Sequence, residues 1–371
     1  VEEREVKGIV DILPKGSGFL RQIELDLLSS SDDCFLSPNV IRDFRLQPGM
    51  HVKAIAGAGA RGQGPAVLRV LEINGAPFEG LSVPVPFERQ VSIDPNERFV
   101  LTPTDGPEAE RAMRFVELMT PLGKGQRALI VAPPRTGKTT ILHQLASSIA
   151  QHHPEVFLLV LLVDERPEEV THFKRSVRGE VIASSSDKDA SAHLRVAKLT
   201  LDMARSLSES GRDVFLLLDS LTRLGRASNR EEGNRGKTMS GGVSSRALEF
   251  PRRFFGSARK LESGGSLTIV ATALIDTGSR MDEVIFQEFK GTGNCEIVLD
   301  RKIADSRLFP AIDLSQSGTR KEEKILPPAW LVATHKLRRH LATLKPSDAL
   351  EVLLERLQKA ENTDTFCNSL A

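Results

Sequence analysis

The stretch Leu129-Ile130-Val131-Ala132-Pro133-Pro134-Arg135-Thr136-Gly137-Lys138-Thr139-Thr140 constrains this chain more tightly than any other. An apolar strand runs into a short loop and then into a helix, the setting that a phosphate-binding P-loop requires. Gly137 lets the backbone wrap closely, and the amides that follow point at phosphate from the start of the helix. Lys138 is placed to neutralise β- and γ-phosphates, and the Thr139 hydroxyl to ligate Mg²⁺. Ala132 stands where such loops usually begin with glycine.

Two apolar runs downstream end in acids. Phe157 to Val163 leads into Asp164-Glu165-Arg166, and Phe215 to Leu218 into Asp219. In an open α/β sheet ligands bind beyond the carboxyl ends of the strands, so both acids are expected to face the nucleotide. Asp219 suits the Mg²⁺ shell, and Glu165 suits the general base that acts on the attacking water. Hydrolysis also calls for positive charge at the γ-phosphate. Arg301, Arg307 and Arg320 are candidates that spacing alone does not separate.

Around this centre the chain divides. Residues 1–75 read as short strands between turns, the pattern of a small all-β barrel. Residues 76–107 are proline-rich and lack helical periodicity, which reads as a linker. From residue 108 to 371 strands alternate with helices, which predicts a mostly parallel sheet covered on both faces. The last helix is expected over Leu350–Lys359 with Ser347 or Asp348 as its cap. The 50 basic and 49 acidic residues leave a net charge of +1, so any nucleic-acid surface must be local. The strongest apolar run, Val156 to Val163, is too short to cross a membrane. Three widely spaced cysteines and no visible secretory leader lead to the expectation of a cytoplasmic protein.

Gly123 to Glu323 closely resembles the ATPase domain of bacterial Rho transcription termination factors, RecA-type hexameric RNA translocases. The likeness rests on Val131-Ala132-Pro133-Pro134, on Asp164 through Val170, on Ala271 through Glu283, on Lys290 through Asn294 and on Ser317 through Glu323. Alanine at the first glycine of the P-loop is shared across that family. The resemblance implies that Ala132 through Thr140 cradle ATP, that Thr139 and Asp219 hold Mg²⁺, and that Glu165 is the base. It also implies that Arg166 senses the γ-phosphate and Phe309 stacks on adenine. Arg320, joined by Arg307, would reach into the site of a neighbouring subunit. Arg135 stands where lysine is usual, exchanging a point charge for a planar fork. Lys237, Ser240, Gly241 and Gly242 match one channel loop, and Gly278, Ser279 and Arg280 match the other.

Residues 1–75 resemble the OB/cold-shock-like barrel of the same family, through Gly16 to Arg21 and Asp32 to Pro38. Phe19, Arg21 and Phe35 are the implied RNA contacts. Ser17 and the aromatic-free loop Gly57 to Gly64 depart from the family pattern, and each lost stacking contact removes about 1–3 kcal/mol. The expected partners are single-stranded nascent RNA, the RNA polymerase elongation complex and five further copies in a homohexamer. A rotary ATP synthase subunit and a non-hydrolysing RNA scaffold are the competing classes.

Overall fold

The computed structural model describes residues 3–59, 64–79, 84–101, 106–232, 242–244 and 246–370, with side chains of the first long helix described from residue 110. Its first six strands are β1 (Arg4–Ile12), β2 (Gly18–Arg21), β3 (Cys34–Leu36), β4 (His51–Gly57), β5 (Ala66–Ile73) and β6 (Ala76–Pro77), with helix α1 (Pro38–Asp43) after β3. They run in the order β3-β2-β1-β4-β5-β6, and a β3–β5 pairing closes the barrel. The closure is a parallel bridge between Phe35 and Ala66, with the Phe35 amide donating to the Pro65 carbonyl at 2.8 Å. Alternation decides which side chains face in. On β4, Val52, Ala54 and Ala56 are buried beside Val10, Leu20, Leu36 and Val70, while Lys53 points out between Glu5 and Glu72.

The proline-rich stretch that reads as a linker is tied down where it is described. Phe87 is buried under Arg205 and Arg259, and its amide donates to Glu209 at 2.6 Å. Strand β7 (Ser92–Ile93) pairs with Lys260 and Leu261, and Phe99 and Leu101 join the α/β core. Helix α2 (Gly106–Met119) follows.

The α/β domain then runs β8 (Arg127–Ala132), α3 (Lys138–His152), β9 (Phe157–Glu165), α4 (Pro167–Ser176), β10 (Glu180–Ser185), α5 (Ala190–Glu209), β11 (Asp213–Asp219) and α6 (Leu221–Glu232). It continues with α7 (Glu249–Phe255), β12 (Arg259–Leu261), β13 (Ser266–Leu274), α8 (Arg280–Phe289), β14 (Cys295–Val298), α9 (Arg301–Asp305), β15 (Gly318–Thr319), α10 (Pro328–Leu341), α11 (Pro346–Lys359) and α12 (Thr363–Leu370). The sheet order is β10-β9-β11-β13-β8-β14-β15, parallel from β10 to β14, with β15 antiparallel at the edge. The central strands are unbroken apolar runs because helices cover both faces. On β9, Val160 and Leu162 enter the core under α2, α3 and α11, while Leu159, Leu161 and Val163 enter the core under α5 and α6. Trimming one such leucine to alanine costs about 2–5 kcal/mol. Helix α11 begins earlier than its sequence signals predict, and α12 follows it: Lys345 is the α11 cap and Pro346 its first residue, a position for which the fixed proline φ is suited.

The barrel sits on α4, β10 and α5. Asp26 accepts from Lys174 at 2.7 Å and from the Ala183 amide at 2.9 Å. Asn74 donates to Ser206 Oγ at 2.9 Å and to Ser210 Oγ at 2.7 Å. Gly49, at φ 84°, lies so close to α5 that an added Cβ would fall 2.1 Å from the Asp202 carbonyl carbon.

Candidate functional site

Ala132, Pro133, Pro134, Arg135, Thr136 and Gly137 form the turn from β8 into α3. Thr136 is buried and its hydroxyl donates back to the Pro133 carbonyl at 2.8 Å, closing the loop on itself. Gly137 is the residue before the helix and takes φ 85°, which a Cβ would strain, so glycine is required there. Lys138, Thr139 and Thr140 are the first turn of α3, where free amides and the helix dipole favour an anion.

The two acids arrive from the ends of neighbouring strands β9 and β11. Lys138 Nζ lies 2.6 and 2.7 Å from the two oxygens of Asp219, which is buried and also accepts from Thr272 Oγ1 at 2.8 Å. Glu165 is 3% exposed, so burial, and then the Asp219 charge, push its carboxyl up to about 7. Arg223 opposes this with a guanidinium 2.6 Å away. A carboxyl poised near neutrality can both take and release a proton there, which is what a general base needs. Thr139 and Asp219 supply hard oxygen donors of the kind Mg²⁺ takes.

A cleft of about 610 Å³ opens beside the loop, between Arg135, Thr140, Arg307, Phe309 and the α11 residues Glu351 and Glu355. The Phe309 ring is half exposed and lies 3.6 Å from where a Gly137 Cβ would stand. Arg307 is exposed at φ 59° and lines the same cleft. Arg166 is exposed at the start of α4. Of the three arginine candidates, Arg301 opens α9 and is held at both ends, donating to the Pro134 carbonyl of the β8–α3 turn at 2.7 Å and pairing with Asp305 of its own helix. Arg320 follows β15 and does not line this cleft. Cys295 pairs with both Thr319 and Ala128, so Arg320 sits beside the start of β8. Ala132 lies four residues beyond Ala128, roughly 13 Å along an extended strand.

Helix α6 carries contacts that the sequence reading did not single out. Arg223 reaches Glu165 and the Asp164 carbonyl, Arg226 pairs with Asp282, and Asn229 donates to the Gly242 carbonyl at 3.0 Å. These three positions recur every three residues, directly after Asp219, and that spacing is the signal that could have found them. Asp282 also accepts from Thr277 at 2.6 Å, which holds the loop carrying Gly278, Ser279 and Arg280. Gly278 and Arg280 are exposed, and Ser279 caps α8. Gly242 is exposed, whereas Lys237, Ser240 and Gly241 lie outside the described residues.

On the barrel, Phe19 and Phe35 meet edge to face at 5.7 Å, both half-buried on the surface of paired strands. Arg21, the third expected RNA contact, is held within the barrel. It is 4% exposed and its guanidinium is held by Asp11 at 2.8 Å and Asp33 at 2.6 Å. Burial is tolerable there because two carboxylates compensate the charge, and what remains is a face against Phe19 at 4.9 Å.

Among the described residues no helix is long and apolar enough to cross a membrane, and no cluster of His, Cys, Asp or Glu could hold a metal ion by itself. Residues 112–319 match the ATP synthase alpha/beta family nucleotide-binding domain, and residues 6–79 match the Rho termination factor RNA-binding domain. An ATPase from the type III secretion system of pathogenic bacteria superposes with TM-score 0.64 at 21% identity, over 82% of this chain and 94% of that one, which places the fold alone. The transcription termination factor Rho of Cereibacter sphaeroides is 48% identical over 98% of this chain and 86% of its own length. That of Pseudomonas aeruginosa is 45% identical over 100% of this chain and 88% of its own. With identity of that order along nearly its whole length, the chain belongs to the transcription termination factor Rho family.

Proposed function

We propose that the chain is an RNA-stimulated ATPase that moves along single-stranded nascent RNA, separates RNA from DNA and ends transcription at the RNA polymerase elongation complex. The observation that carries the chemistry is the meeting of Lys138, Asp219 and a near-neutral Glu165 at the ends of β8, β11 and β9. ATP would lie with its phosphates on the amides of Thr136 to Thr140 and its adenine on Phe309. Lys138 then leaves Asp219 for the β- and γ-phosphates, and Arg166 lies near the terminal phosphate. Bound through Thr139 and Asp219, Mg²⁺ would neutralise charge on the phosphates. Glu165 takes the proton of the attacking water, and Arg223 holds its carboxylate in place.

Arg320 is too far along the sheet to serve its own P-loop, which supports its acting on the next subunit, with Arg307 beside it. Head-to-tail contacts that close a ring, a homohexamer in this reading, make each interface one active site. Arg280, Ser279 and Gly278, with Lys237 to Gly242, would face the RNA in the channel through phosphate and 2′-OH contacts. Phe19 and Phe35 would stack bases on the barrel.

The test is steady-state ATP hydrolysis with and without pyrimidine-rich RNA. Stimulation by at least tenfold is expected. A rate that ignores RNA would sink the proposal and favour a chemistry closer to the rotary ATPases.

A further inference from the structure

The surroundings of Arg320 hold a second arginine to which the proposed mechanism gives no task. Arg127 opens β8. Its Nε donates to the Thr292 carbonyl at 2.6 Å, and Arg320 Nη2 donates to the adjacent Gly291 carbonyl at 3.2 Å. Two guanidiniums therefore take successive carbonyls of a single turn. Asn294 ties the same residues together from behind. Its side-chain oxygen accepts from the Arg127 amide at 2.8 Å, and its carbonyl accepts from the Arg320 amide at 2.8 Å. Arg259 is the third charge in this group. Burial, then Arg259 and Arg320, hold the Arg127 guanidinium below its ordinary value. Among the described residues none of the three forms an ion pair.

One acid, Glu296, stands on this turn and accepts from the Gly291 amide at 3.0 Å without pairing with any of the three arginines. The repulsion among the like charges is left for water or an arriving anion to compensate. A group with several negative charges on adjacent oxygens suits such a cluster, and a nucleoside triphosphate presented by a second copy of this chain is one. We propose that Arg127 is a positioning residue for Arg320: it anchors the Gly291–Thr292 turn and, by repulsion, turns the Arg320 guanidinium outward toward the neighbouring subunit's triphosphate. This rests on the reading that Arg320 acts in trans.

The experiment separates the two ideas. Arg127→Gln keeps a donor for the Thr292 carbonyl and loses the charge. It should assemble and bind ATP with KM within about twofold of wild type, while kcat falls at least tenfold. Mixed with Lys138→Ala subunits, it should regain turnover, because its own P-loop then receives an intact arginine from the neighbour. Arg127→Lys restores charge and should return kcat to within a few-fold of wild type, and it carries the test alone if the glutamine variant does not assemble. Arg320→Ala mixed with Lys138→Ala is the control, after fluorescence transfer has confirmed subunit exchange. Rescue of Arg320→Ala without rescue of Arg127→Gln would overturn the positioning role and leave the trans reading intact. Failure of both would remove the trans reading as well. A wild-type kcat in Arg127→Gln, or an Arg127→Lys protein that folds and is as inactive as Arg320→Ala, would also overturn it.

Discussion

Replacing Arg223 with glutamine should move the pH dependence of hydrolysis rather than simply lower the rate. Glu165 must be ionised to act as a base, and in this site it titrates at about 7. About half of it is therefore active at pH 7, and activity should rise with pH to a plateau above pH 8. The Arg223 guanidinium at 2.6 Å holds that value down against burial and the Asp219 charge. An opposite charge at this range lowers a carboxyl by about 1–3 units, so its removal raises Glu165 by a similar amount. That is about 1.4–4 kcal/mol, at 1.36 kcal/mol per unit. At pH 7 the ionised fraction drops from about a half to between about a tenth and a thousandth, and the rate falls roughly 5- to 500-fold. The loss should be recovered by raising the pH, with rate climbing tenfold per unit until the new midpoint. Single-turnover hydrolysis of saturating ATP from pH 5.5 to 9.5 reads this directly. Arg223→Lys keeps the charge and should leave the midpoint near 7. An Arg223→Gln enzyme that is slow by the same factor at every pH would refute the reasoning.

Other variants divide the site by task. Lys138→Ala should weaken nucleotide binding, whereas Glu165→Gln should bind normally and not turn over, since in the proposed mechanism one residue meets ground-state phosphates and the other acts only on the water. Nucleotide titration beside single-turnover hydrolysis distinguishes them. Arg280→Ala should lose RNA stimulation more than RNA affinity, and Phe19→Ala the reverse, with affinity falling by the roughly 1–3 kcal/mol of one stacked base. Equal losses from both in binding and ATPase assays would defeat the two-site picture. Gly49→Ala combines a left-handed φ with a 2.1 Å collision against α5, and it should loosen the barrel and expose it to limited proteolysis.

The parts of this fold that were legible in the sequence are those that local physics controls. Apolar runs of strand length, an anion-binding turn and acids placed where buried strands surface gave β8, β9 and β11 and the acids at the ends of β9 and β11 directly. The ion pairs of Arg21 were not legible, because a basic residue beside aromatics reads the same whether or not Asp11 and Asp33 hold it, and pairing across strands has no local signature. Phe87 and Ile93 were hidden in a stretch whose prolines argue against regular structure, although its pairing comes from Lys260 and its packing from α5. The α11 residues in the cleft were unforeseeable for the same reason. They reach it only through tertiary packing, from more than 200 positions down the chain.

Helix α6 has a mechanical consequence. From Arg223 to Asn229 it spans roughly 9 Å at 1.5 Å per residue, and it is held at Glu165, Asp282 and the Gly242 carbonyl. A packed helix neither stretches nor folds over that length, so it behaves as a gear and not as a spring. Water attack and grip on the strand would then share one moving part, with no slack between them. A load that holds the strand still should slow ATP turnover in proportion, because the machine has no neutral in which to idle.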